Sequence, residues 1–289
     1  MKILILGAGK MGSFFCDLLS FANDVAIYDP DPDRLRFTFN CRRFASLEEV
    51  KEFDPEMVIN CATVKYTIDA FRSVLPYVSE RCLLSDIASV KTGLPEFYKE
   101  CGRPFVSTHP MFGPTFASLS NLSNENAIII KEGDALGRAF FKQLYADLHL
   151  HVEEYTFEQH DETVAYSLTI PFASTLVFAG VMKHQSAPGT TFKRHLAIAH
   201  GLMSEDDYLL TEILFNPNSV DQIDKIQAQL STLRSLIGLC TVVAYSRIRR
   251  INVDYACCLE LNECVLVDSE DAASFEFFGI QTFRFPNNR

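Results

Sequence analysis

Residues 2–12 read KILILGAGKMG. A wholly apolar run, Ile3 to Leu6, leads directly into Gly7, Gly9 and Gly12 at the spacing G-x-G-x-x-G. A run of that kind is expected of a strand buried on both faces. An amphipathic stretch follows (Phe14, Phe15, Leu18, Leu19), then a second apolar run, Val25 to Tyr28, ending in Asp29. Together these predict a β-α-β unit with a dinucleotide-binding turn. Gly7 allows the tight turn, Gly9 lets the backbone approach a pyrophosphate, and Gly12 lets the helix pack on the strand. Lys10 and Met11 complete the turn. The pyrophosphate is expected at the helix N-terminus, where free N–H groups and the helix dipole favour anions. Asp29 can accept hydrogen bonds from a ribose diol and would repel a 2′-phosphate, which favours NAD over NADP; as one of several acids in YDPDPD it also reads as a plain turn residue.

The alternation of strand and helix continues outward. Met57 to Ala62 (MVINCA), Cys82 to Asp86 (CLLSD), Phe105 to Thr108 (FVST), Ala127 to Ile130 (AIII) and His149 to Glu154 (HLHVEE) read as further strands. The expected fold class is α/β: a Rossmann-type, doubly wound parallel sheet over residues 1–155. Ligands of such sheets bind at the carboxyl ends of the strands. Three segments fall there: CATV, with Cys61, Ala62 and Thr63 facing the cofactor; DIASVK, residues 86–91; and THPMFGPT, residues 108–115. Two close prolines argue against regular helix or central strand, so THPMFGPT is expected to be a stiff loop. It would hold His109 beside the nicotinamide end of the site.

Composition narrows the classes of function. The formal net charge over 289 residues is −11, so no basic field would gather nucleic acid or anionic lipid. Nine cysteines with no C-x-x-C pair read as reduced thiols, not as a disulfide framework or zinc site. No metal-ligand cluster is visible. The N-terminal apolar run is too short for a signal peptide, and no apolar stretch reads as long enough to span a membrane. A cytoplasmic protein is expected.

The second half, residues 156–253, reads as an all-helical dimerisation domain. Thr156 and Gln159 form a T-x-x-Q capping box ahead of a long apolar helix to about Met182, which Pro171 must kink or split. Helices follow from about Thr191, after a Ser204 cap, and after a Ser219 cap. The last carries Val220, Ile223, Ile226, Leu230, Leu233 and Ile237 on one face, as a core or dimer stripe. Residues 254–289 form a tail with no assignable role.

DIASVK, then THPMFGPT, then EQHDETVAY in this order resemble the prephenate/arogenate dehydrogenase family, and within it the dehydrogenase half of the bifunctional chorismate mutase–prephenate dehydrogenases. The resemblance covers roughly residues 1–250. It implies NAD-dependent oxidative decarboxylation of prephenate to 4-hydroxyphenylpyruvate, or of arogenate to tyrosine. It also implies that His109 takes the proton from the ring hydroxyl and that Ser89 positions hydroxyl and nicotinamide. His160 of the H-D pair, Lys193 and Arg194 would contact the substrate. Thr115 stands where an acidic residue usually follows the loop. Thr169-Ile170-Pro171-Phe172 replaces H-L-P-H, and a family arginine is missing near Gly201. Plainer readings stand beside these: Ser89 as a helix cap, His160 as part of a capped first turn, and Lys91, Lys193 and Arg194 either as substrate contacts or as solvated cations. Two alternatives remain: another NAD(P)-dependent dehydrogenase or reductase on the same scaffold, such as a β-hydroxyacid dehydrogenase, and a non-catalytic NAD-binding protein derived from the family.

Overall fold

The computed structural model describes residues 1–36, 38–112, 122–204, 207–216, 218–239, 274–277 and 280–284. The stretch KILIL forms β1 (Lys2–Leu6). Its side chains alternate between two apolar layers. Ile3 and Ile5 join one with Phe15, Ile27, Phe141 and Tyr145; Leu4 and Leu6 join the other with Val58, Phe71, Phe97 and Tyr98. Period-two alternation with both faces covered is what a central strand requires. Each fully buried Ile or Leu contributes about 1.5–3 kcal/mol.

The other strands are β2 (Asp24–Tyr28), β3 (Arg42–Phe44), β4 (Met57–Asn60), β5 (Leu83–Asp86), β6 (Phe105–Pro110), β7 (Asn126–Ile130) and β8 (His151–Tyr155), in the order β3-β2-β1-β4-β5-β6-β7-β8. The helices among them are α1 (Lys10–Leu19), α2 (Pro32–Leu35), α3 (Glu48–Phe53), α4 (Thr67–Val74), α5 (Leu94–Cys101) and α6 (Ala135–Asp147). The order reverses between β1 and β4, which opens a crevice beyond their carboxyl ends.

Two expectations are corrected here. The sheet is mixed: β6 and β7 run antiparallel while the other pairs are parallel. An antiparallel partner needs no crossover helix, and the described residues between Pro110 and Asn126 contain none. The stretch Thr108-His109-Pro110 is therefore strand, not loop, with His109 opposite Ile128 and Pro110 opposite Ala127. Pro110 is tolerated because it ends the strand, and pairing with β5 stops at Ser107. From Thr108 on, β6 has a neighbour on one side only, so the missing N–H breaks no ladder.

In the second half, Thr156 and Gln159 form the expected capping box at α7 (Phe157–Val164). A π-helical turn, Ala165–Thr169, leads into α8 (Ile170–Val181). The wider turn sits just ahead of Pro171, whose ring has no place in an uninterrupted α-helical ladder, so the helix runs on unbroken. Phe157–Val181 is consequently 25 residues long, with a window of mean hydropathy 1.6. By length and composition it is long enough to cross a membrane, contrary to the sequence reading, in which no apolar stretch was long enough. A buried or interface helix meets the same measure.

Helices α9 (Thr190–Met203), α10 (Asp207–Leu214) and α11 (Ser219–Leu239) follow. Ser204 closes the end of α9 as its C-cap, its hydroxyl donating to Gly201 O. Ser219 is the first residue of α11, and its hydroxyl turns back to Ile213 O and Thr169 Oγ1. By packing, the chain divides into Met1–Ile223 and Asp224–Arg289. In the second unit β9 (Ser274–Phe277) and β10 (Ile280–Arg284) pair antiparallel.

Candidate active site

The glycine turn has the geometry its spacing predicts. Gly7 holds φ +94°, a conformation L side chains rarely adopt, and its N–H donates to Tyr28 O at 2.8 Å. A Cβ on Gly12 would lie 1.8 Å from Gly7 O; only glycine lets α1 approach so closely. A Cβ on Gly9 would meet nothing within 4 Å. Gly9 is the N-cap of α1 and makes no side-chain cap bond. An open cradle at a helix N-terminus suits a pyrophosphate. Cys61 and Ala62 border it, with Cys61 O and Ala62 N about 3 Å from where a Gly7 Cβ would sit. Thr63 is exposed beyond them, Met11 packs against the core, and Lys10 opens the helix.

Asp29 does more than the sequence reading assigns. Its carboxylate accepts from Ala8 N at 2.7 Å and Asp31 N at 2.9 Å, tying the glycine turn to the end of β2. A carboxylate has about four lone-pair sites, so two remain for a ribose diol.

His109 stands at the end of β6, buried at 6% exposure. The next aromatic, Phe112, packs edge-on against Phe14 of α1 with ring centroids 5.8 Å apart. The segment carrying His109 is thereby tied to the glycine-turn helix. His109 Nδ1 lies 3.0 Å from His160 Nε2. His160 is fully buried, and its Nδ1 lies 3.1 Å from Asp161 Oδ1. Burial, with His160 and the Lys91 ammonium adding to it, holds the His109 imidazole well below its usual range. Burial and then Lys91 push His160 down to about 3. Both rings are neutral at pH 7, the state a proton acceptor needs.

Lys91 corrects an expectation. It is wholly buried, and its ammonium sits 2.5 Å from Asp86 Oδ1 and 2.7 Å from Thr108 O, so it is neither a solvated cation nor open to a substrate carboxylate. The other Asp86 oxygen accepts from Tyr98 OH at 2.7 Å. Thr108 Oγ1 pairs with Tyr145 OH at 2.9 Å. This buried network clamps the ends of β5 and β6 together. Lys91→Ala, which leaves the Asp86 carboxylate buried without its cation, is expected to cost about 3–5 kcal/mol; urea unfolding measures it.

Ser89 lies in the bend between β5 and α5, partly exposed. Gly93, not Ser89, is the N-cap of α5, so the capping alternative falls away. Lys193 and Arg194 are exposed on α9, and no described contact ties them to His109. Thr115 lies outside the described residues. Thr169 is buried, its hydroxyl 2.7 Å from Ser219 Oγ. Asp86, Tyr98, Thr108, Tyr145 and Asp161 were not singled out from sequence. The available signal was a polar residue ending each apolar run, as in CLLSD and FVST.

The neutral histidine pair carries a pH signature. The folded pKa values are depressed, so on acidification the unfolded chain binds the protons first and the folded state loses ground. Stability is expected to fall as the pH drops below about 6.5, by about 1.4 kcal/mol per pH unit for each such imidazole. The window reaches down to about 3 for His160. Urea unfolding between pH 7.5 and 5 measures the slope, which His160→Gln should reduce; equal slopes would contradict the buried neutral pair.

The fold and the glycine turn together define a nucleotide-binding α/β protein. Residues 24–146 match the family described as "Prephenate dehydrogenase, nucleotide-binding domain". The probable arogenate/prephenate dehydrogenase of Methanocaldococcus jannaschii is 38% identical over 78 residues, 26% of this chain and 17% of the relative. The match thus spans under a fifth of that relative's length. The fold resembles the prephenate dehydrogenase of Aquifex aeolicus in complex with hydroxyphenyl propionate and NAD+, with TM-score 0.76 and 22% identity over 89% of this chain and 98% of that one. Synechocystis arogenate dehydrogenase gives TM-score 0.68 and 16% identity over 90% and 100%.

Proposed function

We propose that this protein is an NAD-dependent dehydrogenase that converts prephenate to 4-hydroxyphenylpyruvate by oxidative decarboxylation. The observation that carries the reading is a neutral, buried His109 fixed at the carboxyl edge of the sheet and tied through Phe112 to the helix of the glycine turn. The residues present fit NAD. The open cradle at Gly9 takes the pyrophosphate, and Asp29 retains acceptor capacity for the ribose. When bound, the nicotinamide supplies a hydride acceptor. His109 takes the hydroxyl proton of the substrate ring through Nε2, and Ser89 orients that hydroxyl. Loss of CO2 then leaves an aromatic ring, which makes the step effectively irreversible.

Arogenate is the second reading. Phe172 replaces the last histidine of the family's H-L-P-H, and Thr169 is turned away into a bond with Ser219. Similar structures include both kinds of enzyme. Prephenate is preferred because DIASVK and HPMFGP follow the prephenate pattern. Lys193 or Arg194 is the candidate for the substrate's side-chain carboxylate.

A homodimer through the helices is part of the reading. Val181, Ile198, Phe215 and Val220 are more than half exposed in the single chain, and a partner chain would cover such apolar side chains. We place the protein in the cytoplasm, with the Phe157–Val181 helix against protein, since its first turn holds His160 against His109. Purified protein incubated with NAD and each substrate separately tests the reading. Formation of 4-hydroxyphenylpyruvate supports it, tyrosine from arogenate alone replaces the substrate, and NAD binding with no product from either leaves a non-catalytic nucleotide-binding protein.

A further inference from the structure

We infer that Asp161, acting through His160, sets the tautomer in which His109 can accept a proton. The inference rests on the reading of His109 as the base. A neutral imidazole has one N–H and one lone pair, so a line of two rings and a carboxylate can carry its hydrogens in either direction. Here the line is His109 Nδ1 to His160 Nε2 at 3.0 Å, then His160 Nδ1 to Asp161 Oδ1 at 3.1 Å. An ionised Asp161 only accepts. His160 must then carry its hydrogen on Nδ1 and present a lone pair at Nε2. His109 must donate from Nδ1, which places its own lone pair on Nε2, where a substrate hydroxyl could be met. Reversed, the line would put the hydrogen on His109 Nε2 and block the reaction.

The groups around the line support this direction. Burial pushes the Asp161 carboxyl above its usual range, and the Lys91 ammonium and backbone N–H oppose that rise. The same ammonium disfavours charge on both rings, while Asp86, which Lys91 neutralises, opposes it at His160. The His160 side chain has no exposure, whereas that of Asp161 is 32% exposed. Water therefore meets the carboxylate while the rings are shielded from it. His160 and Asp161 are positioning residues; neither need touch the substrate.

The test is histidine-selective nitrogen NMR of the free protein at pH 7.5, with the His109 signals identified from His109→Asn. The expected result is an Nδ1–H tautomer for His109 in the parent chain and in His160→Gln, whose amide oxygen replaces the accepting Nε2. In Asp161→Ala the expected result is a shift toward Nε2–H, with kcat on prephenate or arogenate lower by an order of 10²–10⁴-fold and KM little changed. A His109 Nε2–H tautomer in the parent chain overturns the inference. So does an unshifted tautomer in a folded Asp161→Ala. The NMR readout needs no substrate, so an Nδ1–H tautomer in a protein that turns over neither substrate would refute the proposed function and leave this inference standing.

Discussion

His109→Asn is expected to fold and bind NAD like the parent chain, and to form reduced nicotinamide on the order of 10²–10⁴-fold more slowly. The asparagine amide reaches the place of Nδ1, so it can keep the hydrogen bond to His160 Nε2 that spans 3.0 Å in the parent chain. What it removes is Nε2, the only ring atom left to accept the proton. Burial already holds the imidazole well below its usual range. The parent chain should therefore keep its base unprotonated below pH 6.5, and the acid limb of its pH–rate profile should lie on the acid side of an ordinary histidine. Calorimetric titration with NAD separates the two effects. An asparagine variant with parental turnover would remove His109 from the chemistry; one that no longer bound NAD would show a structural role instead.

The second large effect concerns the turn. Gly12→Ala places a methyl group 1.8 Å from Gly7 O and 3.0 Å from Gly7 C. The clash is with backbone, and Gly7 cannot give way because its φ of +94° and its N–H to Tyr28 O fix it. A loss of about 3 kcal/mol or more is expected, together with loss of NAD binding. Gly9→Ala should behave oppositely. Its methyl meets nothing within 4 Å, so stability should stay within about 0.5 kcal/mol. The methyl would nevertheless fill the approach to the pyrophosphate, and NAD affinity should fall about tenfold or more, about 1.4 kcal/mol. Thermal unfolding with and without NAD distinguishes the pair. Equal stability losses in both variants would refute the assigned roles.

The α/β class and the glycine turn were legible in residues 2–29 because both rest on local rules: apolar runs of strand length, glycine spacing and an acid at the end of β2. Less local features were not. β3 is three residues long and reads Arg42-Arg43-Phe44, so no apolar run marks it. The antiparallel course of β7 is decided by which edge is free, which no short segment states. Pro110 was read against strand because the rule for central strands was applied to a residue whose β5-facing side is unpaired. Lys91 was read as a substrate contact or a solvated cation because a lysine is usually exposed; only the fold brings Asp86 and Thr108 O around it. The His109–His160 contact joins residues 51 apart in the chain and could be anticipated only from the H-D pair of the resemblance. Asp161 stood in that same pair and was passed over.

The central claim is that His109 and the glycine turn serve one reaction on one substrate. The most direct test is absorbance of reduced nicotinamide when the purified protein meets NAD and prephenate, with the His109→Asn protein beside it at matched NAD saturation. The account predicts turnover by the parent chain and a loss of at least about a hundredfold in the variant. No turnover by a parent chain that binds NAD and is offered prephenate and arogenate in turn would contradict it.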